Sequence, residues 1–403
     1  MRVYQCSHLL TPEGFVDGEF VVRDGVIIEA GPRGTVRRNT AAETCDLEDA
    51  IVMPGLVNAH THLELSWMAT DRPPGGDYLR WLKGLLERRE HEHPEVARFN
   101  AEMACRMYLV DRGTVAVGDI CNATWVADVW AGEPLLGVLF HEVLGLDTPE
   151  QRHADALRRI EDNPAPDGWR WSAVPHAPHT TSAELMRRLA GDAARTGAPC
   201  SIHIAETAGE REILTADAGP FRDFFVERGL LAADREPTGR TPVQAVADAG
   251  LLDTRILAVH AVDLDESEIT LLGQAGATVV TCPRSNAYLG VGKAPIPELL
   301  AAGCTLALGT DSLATTETLD LFDEMAALRA AHPELAPRDI VLAATQGGAD
   351  ALGLGDDLGK IEPGKRALLT VVPFDPDMDG DPYDYLCSVP GRVLPLAAFE
   401  NDR

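Results

Sequence analysis

Short apolar, β-branched runs alternate with longer amphipathic stretches from about residue 55 to about residue 345. The runs at 56–59, 114–118, 135–140, 169–174, 200–204, 255–259, 277–281 and 305–308 are nearly continuous in apolar residues. Strands of that kind are buried on both faces, as in a parallel sheet covered by helices. Between them, stretches such as 77–89, 183–189 and 319–331 place apolar residues at helical spacing. Eight strand–helix units predict an α/β protein with a (β/α)8 barrel of the TIM type, whose site lies at the C-terminal strand ends. An open doubly wound sheet is the alternative, but it would not bring its first and last strands to one point.

The chain ends follow a different pattern. Residues 1–50 hold short strands, such as 20–22 and 26–28, separated by turn signals at Pro12-Glu13-Gly14, Asp24-Gly25 and Gly31-Pro32. Such spacing predicts antiparallel hairpins. A further turn, Pro363-Gly364-Lys365, precedes a strand at 368–372. The expected organisation is a barrel over 53–358 and a small β-sandwich domain built from 1–52 and 359–403.

Polar residues gather where the eight runs end. There stand His60 and His62, Asp119, Glu142, His176, His203 and Glu206, His260, Arg284 and Asp311. His60 and His62 are two apart, so in an extended segment both rings point to the same side. Neutral imidazole is the commonest side-chain ligand for zinc and its neighbours. A mononuclear hydrolytic site needs three or four such ligands and one open position for water. His60, His62, His203 and Asp311 meet that need, and the ion would lower the pKa of its water from ~15.7 toward ~7. Asp311 can also accept the water's proton, and His260 is placed to hydrogen-bond the attacking oxygen. Glu206, three residues past His203, suits a carboxylic acid kept neutral by burial and able to donate a proton. Taken singly, each histidine reads as a satisfied structural residue; the joint pattern of run endings carries the metal reading. Asp119 reads as a cap or a support, and Glu142 as support or site.

Charge and cysteine usage narrow the partners. Lys and Arg total 35 against 63 Asp and Glu, a formal charge of −28, which disfavours nucleic acid and anionic membranes. No apolar run is long enough to cross a bilayer, and residues 1–8 lack the apolar core of a secretory signal. The 8 cysteines are scattered without a Cys-x-x-Cys pair, as expected of reduced thiols in a cytoplasmic protein.

The stretch from Pro54 to Glu64, Pro-Gly-Leu-Val-Asn-Ala-His-Thr-His-Leu-Glu, resembles the first-strand signature of the amidohydrolase superfamily. The likeness is to its mononuclear deaminase branch, with S-adenosylhomocysteine/methylthioadenosine deaminases, guanine deaminase and chlorohydrolases. Further matches are Pro175-His176-Ala177-Pro178-His179-Thr180, His203-Ile204-Ala205-Glu206-Thr207, Cys282-Pro283-Arg284-Ser285-Asn286, Leu308-Gly309-Thr310-Asp311 and the segment from Leu358 to Lys365. The resemblance spans roughly residues 50–370. It implies a barrel with a terminal β-sandwich and one divalent ion on His60, His62, His203 and Asp311, Zn²⁺ first, with Fe²⁺ or Mn²⁺ as alternatives. It also implies hydrolytic release of ammonia, with Glu206 and His260 assisting and His176 contacting the substrate.

Two positions depart from that branch: His179, where Tyr is usual, and Arg284, where a small polar residue is more frequent. Arg284 reads either as part of a salt bridge or as a clamp for a substrate carboxylate. His62-Leu63-Glu64-Leu65-Ser66, Glu142-Val143-Leu144-Gly145 and the Cys282–Asn286 motif look similar to aminodeoxyfutalosine deaminases of menaquinone biosynthesis. The resemblance therefore implies 6-amino-6-deoxyfutalosine as the first substrate expectation. Methylthioadenosine, S-adenosylhomocysteine, adenosine, guanine or another amino- or halo-substituted heterocycle are the alternatives. Trp67 and Trp81 are either pocket walls or packing residues. A non-catalytic barrel scaffold would have lost ligands or Glu206, and this chain keeps them. The expected partner is a small molecule, not nucleic acid or membrane, and a homodimer is compatible with the sequence.

Overall fold

The computed structural model describes residues 1–37, 43–375 and 380–399. The remainder of the two end segments, 38–42, 376–379 and 400–403, lies outside the described residues. The first five strands are β1 (Arg2–Thr11), β2 (Gly14–Arg23), β3 (Val26–Pro32), β4 (Glu43–Asp46) and β5 (Ala50–Pro54). The barrel strands follow as β6 (Leu56–Thr61), β7 (Thr114–Cys121), β8 (Leu136–Val143), β9 (Trp169–Pro175), β10 (Cys200–Ile204), β11 (Ile256–His260), β12 (Thr278–Thr281) and β13 (Thr305–Leu308). Two more, β14 (Leu369–Pro373) and β15 (Leu394–Pro395), return to the chain start.

β6 to β9 form one parallel set and β10 to β13 another, each strand beside its sequence neighbour. Two seams close them into a barrel. At one, the His203 N–H donates to His176 O (3.0 Å). At the other, Thr310 and Asp311 N–H donate to His60 O at 2.9 and 3.1 Å. The barrel core is drawn from every strand and the helices over them, including Val57, Phe140, Ile202, Leu257 and Leu306. Burying each such side chain contributes on the order of 1.5–3 kcal/mol. β7 and β8 run further than the apolar runs alone imply, through Asp119 and Glu142. These carboxylates find partners at the barrel mouth, so they extend the strands instead of ending them.

Both chain ends build the second unit. β1, β2 and β3 form an antiparallel meander around the Asp24-Gly25 turn. β4 runs parallel to the first half of β1 and β5 parallel to its second half. The register of β1 shifts between Cys6 and Leu9, where the partner changes. β14 pairs antiparallel with β5, and β15 with β14. The resulting seven-stranded sheet curls: Ile27 N–H donates to Lys365 O and Gly364 N–H to Ile27 O, both at 2.8 Å. The β3 edge thus meets the segment leading into β14. Tyr4, Leu9, Phe20, Val52, Leu369 and Val371 fill the space within, with the Tyr4 and Phe20 rings stacked 5.0 Å apart.

No helix among the described residues is long and apolar enough to cross a membrane. All 8 cysteines are free thiols, as their spacing predicts.

Gly55 joins the two units between β5 and β6. Its N–H donates to Leu368 O (3.0 Å), and a Cβ there would lie 2.3 Å from Val115 Cγ1 and 2.9 Å from Leu368 O. Gly55→Ala is expected to lower the unfolding free energy by about 1–3 kcal/mol through overpacking. A denaturant midpoint equal to the parent's would show that this junction has slack.

Candidate metal centre

His60 is fully buried at the end of β6, and neither of its ring nitrogens has a hydrogen-bond partner among the described residues. His62 follows one residue past the strand, and its ring centroid lies 5.0 Å from that of His60. His203, on β10, lies 5.0 Å from His60 and stacks against His62 at 5.4 Å. One ring nitrogen from each of the three falls within 4.8 Å of the other two. The His203 Nδ1–H donates to His176 O (3.0 Å), which turns Nε2 toward His62 Nε2, 3.4 Å away. Asp311 completes the group, with Oδ1 at 3.7 Å from His62 Nε2. Its Oδ2 is held by the hydroxyls of Ser285 (2.5 Å) and Thr315 (3.3 Å).

Electrostatics fixes the protonation of this cluster. Burial, then the neighbouring imidazoles, push His60 and His62 well below the ordinary histidine value. Burial brings His203 down to about 3 and His176 to about 4, with Glu142 opposing the shift at His203. All four rings are therefore neutral at physiological pH and present lone pairs. An unpaired buried nitrogen costs about 1–3 kcal/mol, and a coordinated cation would answer the one nitrogen of His60 that carries a lone pair. Three imidazoles and a carboxylate suit Zn²⁺ and its first-row neighbours. The donor set fits a divalent ion.

Glu142 stands behind His203, with Oε1 3.4 Å from His203 Nδ1 and Oε2 accepting from Asn122 Nδ2 (3.2 Å). Glu142, His176 and His203 also converge within 4.8 Å. The His203 Nδ1 edge thus faces both the His176 carbonyl and the Glu142 carboxyl, a place from which a carboxyl group can orient the ring. Asp119 accepts from Leu63 N–H (3.0 Å) and Trp130 Nε1 (2.8 Å) beneath the same loop, and burial pushes its carboxyl up to about 8.

On the other side, His260 ends β11 with Nε2 3.6 Å from Glu206 Oε1. The His260 Nδ1–H donates to Asn286 Oδ1 (2.9 Å), leaving Nε2 as an acceptor facing Glu206. Burial raises the Glu206 carboxyl above the ordinary glutamate value, against the pull of His260. The Tyr78 hydroxyl lies against the same carboxyl.

The backbone at these exits is strained. Ala205, His260, Ala261 and Asp311 have φ of 50°, 70°, 50° and 57°. Non-glycine residues held there cost on the order of 1–3 kcal/mol each and cluster at functional sites. Gly309 allows the last exit to approach the first, since a Cβ there would lie 2.7 Å from His60 Cβ.

Not every expected residue joins the cluster. Arg284 donates from Nη1 to Thr318 Oγ1 (2.8 Å) and from Nη2 to Glu317 Oε2 (2.8 Å), with Asp323 at 3.4 Å and the buried Glu324 at 3.7 Å. Both terminal nitrogens of its guanidinium are engaged. His176 reaches the cluster, 5.1 Å from the His203 ring, and its Nδ1 pairs with Thr180 Oγ1 (2.6 Å). His179 stacks on Phe225 at 5.9 Å. Trp81 donates to Ala314 O (3.0 Å) inside a packed cluster with Leu65, Met68 and Leu289, and Trp67 packs against it. Sequence reading left Tyr78, Ser285 and Asn286 without roles. The last two sit within a motif already marked, whereas Tyr78 lies on a helix whose apolar spacing points only to packing.

The profile of the Amidohydrolase family matches residues 51–401. The chain belongs to this family. Among curated relatives, a 5-methylthioadenosine/S-adenosylhomocysteine deaminase of Nitratidesulfovibrio vulgaris is 35% identical over 381 residues, covering 88% of this chain and 79% of the relative. An aminodeoxyfutalosine deaminase of Deinococcus radiodurans is 34% identical over 370 residues, covering 87% and 86%. Among solved structures, an adenosine deaminase from Xanthomonas campestris with bound zinc superposes with TM-score 0.79 at 25% identity, covering 97% of this chain and 89% of that one. Helicobacter pylori aminofutalosine deaminase shares the fold, with TM-score 0.85, 23% identity and coverage of 98% and 97%.

His203→Ala is expected to abolish retention of the divalent ion by the amidohydrolase, read by elemental analysis after dialysis. Glu142→Gln is expected to weaken the ion's affinity roughly 10–100-fold, the range for a group that orients a ligand ring. Unaltered affinity in that variant would remove the orienting role.

Proposed function

We propose that this amidohydrolase is a metal-dependent hydrolytic deaminase of an adenine-type nucleoside. The observation that carries this reading is the meeting, at one barrel mouth, of three neutral imidazoles and Asp311 with a buried carboxylic acid, Glu206, facing His260 at 3.6 Å. The deaminases at 34–35% identity support it. His60, His62, His203 and Asp311 would hold the ion, which supplies Lewis-acid activation of water near neutral pH.

The chain's own groups supply the rest. Glu206 keeps its proton beyond the usual glutamate range because burial disfavours its anion. It donates that proton to a ring nitrogen of the substrate while water's oxygen adds to the neighbouring amino-bearing carbon. Asp311 takes one proton of that water and passes it to the amino group, which leaves as ammonia. The remaining hydroxyl proton returns to Glu206 as the ring carbonyl forms. His260 Nε2, an acceptor by virtue of the Asn286 bond, orients the attacking water. The Ser285 and Thr315 hydroxyls hold one oxygen of Asp311 and leave the other toward the ligand cluster. His176, held by Thr180, is the proposed substrate contact on the β9 side.

For the substrate, 6-amino-6-deoxyfutalosine remains the first candidate, supported by the Deinococcus radiodurans relative. A second reading, methylthioadenosine, which carries no carboxylate, is favoured by the engaged guanidinium of Arg284. S-adenosylhomocysteine, which carries one, stands with the methylthioadenosine relatives. To clamp a substrate carboxylate, Arg284 would have to exchange Glu317 for it. Ammonia release from a panel of these nucleosides, adenosine and guanine decides between them. Arg284→Ala should raise KM for the carboxylated nucleosides, 6-amino-6-deoxyfutalosine and S-adenosylhomocysteine, far more than for the others if the clamp exists. An equal change in KM across the panel leaves Arg284 as a salt-bridge residue.

Glu206→Gln is expected to retain the ion and lose about 10²–10⁴-fold in kcat, the usual contribution of a general acid. The sign of the pH dependence follows from the raised Glu206 carboxyl: rising pH strips the proton to be donated, so kcat falls on the alkaline side. That limb should lie above the ordinary glutamate range and be absent in Glu206→Gln.

A further inference from the structure

We propose that Glu210 is a positioning residue for Glu206, and that Glu210 with Arg211 clips the β10 exit to the β11 exit. The proposal rests on the reading of Glu206 as proton donor. Glu210 is the third residue of the helix Ala208–Ala216, whose N-cap is Thr207. In an ordinary capping box a glutamate there accepts from the N-cap's own N–H. Glu268 does so in this chain, accepting from Asp265 N–H at 3.1 Å within its own capping box. Glu210 does not. Its carboxylate passes over Thr207 and accepts from Ala205 N–H (3.1 Å, Oε1) and Glu206 N–H (3.0 Å, Oε2). Thr207 is left to cap the helix through its own hydroxyl, which accepts from Glu210 N–H (3.1 Å).

The two amides taken by Glu210 flank the strained residue Ala205, with φ 50°. The carbonyl of that residue is fixed as well, accepting from Val262 N–H (2.9 Å) and Asp263 N–H (2.7 Å). Those two residues directly follow the positive-φ pair His260 and Ala261. Arg211 closes the loop by donating to Asp263 Oδ2 (2.7 Å) and Glu268 Oε2 (2.5 Å). Three backbone groups of the Ala205–Glu206 turn, its two amides and the Ala205 carbonyl, are thus tied to Glu210 or to the segment after His260. Burial, with 1% of Glu210 exposed, pushes its carboxyl up to about 8 against the two amides, and each of its oxygens accepts from the turn that carries Glu206. The arrangement sets the 3.6 Å separation of Glu206 and His260.

The test compares Glu210→Gln, Glu206→Gln, the double variant and Thr207→Ala in the metal-loaded enzyme. A glutamine has one carbonyl oxygen and would turn its amide N–H toward the second backbone N–H. Glu210→Gln is expected to lose roughly 10–100-fold in kcat with KM and metal content held within about twofold, since small misplacement of a reacting group has that effect. In the Glu206→Gln background the same change should cost no further activity. Thr207→Ala, which weakens the same helix without touching the two amides, should lower the unfolding midpoint and leave kcat near that of the parent. A folded Glu210→Gln with parental kcat, or an equal loss in the Glu206→Gln background, overturns the proposal. Full activity of Glu206→Gln strikes the proton-donor reading and the proposal with it, whereas the former results strike the proposal alone. Should Glu210→Gln fail to fold, Arg211→Gln probes the same clip: a fall in kcat with metal retained is expected, and parental kcat overturns it.

Discussion

The carbonyl oxygen of His60 accepts the amides of both Thr310 and Asp311, and through those two bonds the last strand exit closes on the first. Asn58 reinforces the joint, donating to Thr310 Oγ1 (2.8 Å) and accepting from Thr310 N–H (3.2 Å). Because the joint passes through His60 itself, barrel closure and assembly of the ligand cluster are one event. An eight-stranded barrel that failed to close would leave His60 and His62 on one edge and Asp311 on the other. The opposite seam, through His176 O and His203 N–H, repeats the device with a second pair of site residues.

Closure then imposes an electrostatic condition. His60, His62, His203 and His260 lie with ring centroids between 5.0 and 5.9 Å of one another along the measured pairs. Two unit charges at about 5 Å repel by roughly 3 kcal/mol even at an effective dielectric of about 20. Several imidazolium ions in that space are untenable, and burial disfavours each one separately. The fold resolves the conflict by keeping the His60, His62 and His203 rings neutral, and neutral buried rings, one of them with unpaired nitrogens, are a site shaped for a cation. Carboxyl groups near the cluster experience the same burial with the opposite consequence: Glu206 and Asp311 are pushed toward their neutral forms. Asp311, held by two hydroxyls and placed beside the ligand cluster, is suited to its charged form once an ion is present. Glu206, facing an acceptor nitrogen, is suited to carry a proton. One physical cause thereby separates two carboxyl groups into two roles.

Much of this was legible in the chain. Continuous apolar runs mark strands buried on both faces, and the β10 and β13 bounds match the runs at 200–204 and 305–308 residue for residue. The spacing of His60 and His62 reports a shared direction because strand periodicity is strictly two. Partners brought in from other elements were not legible. Tyr78 lies against Glu206 from a helix whose spacing encodes only an apolar face, and nothing in the sequence tells which end of a tyrosine meets a carboxylate. Arg284 shows the converse: its motif marks it as a site residue, yet Glu317 and Asp323, brought close by the chain after β13, occupy its guanidinium. The curl of the terminal sheet was similarly hidden, since it depends on where β1 changes partners between Cys6 and Leu9.

Strain at the strand exits connects the architecture with the chemistry. A strand that ends in extended backbone sends its next side chain along the barrel axis, away from the centre of the mouth. Positive φ at Ala205, His260, Ala261 and Asp311 bends the chain there and turns Glu206, His260 and Asp311 toward a common point. Each such residue persists only where surrounding bonds over-determine it. The bonds are present at each exit: Glu210 and the Val262 and Asp263 amides around Ala205, Asn286 on His260, and His60, Ser285 and Thr315 on Asp311. Loss of any of these supports would relax the backbone toward its unstrained form and carry the reacting groups away from one another. The supporting residues, and not the clustered side chains alone, therefore set how closely this family member can align Glu206, His260 and Asp311.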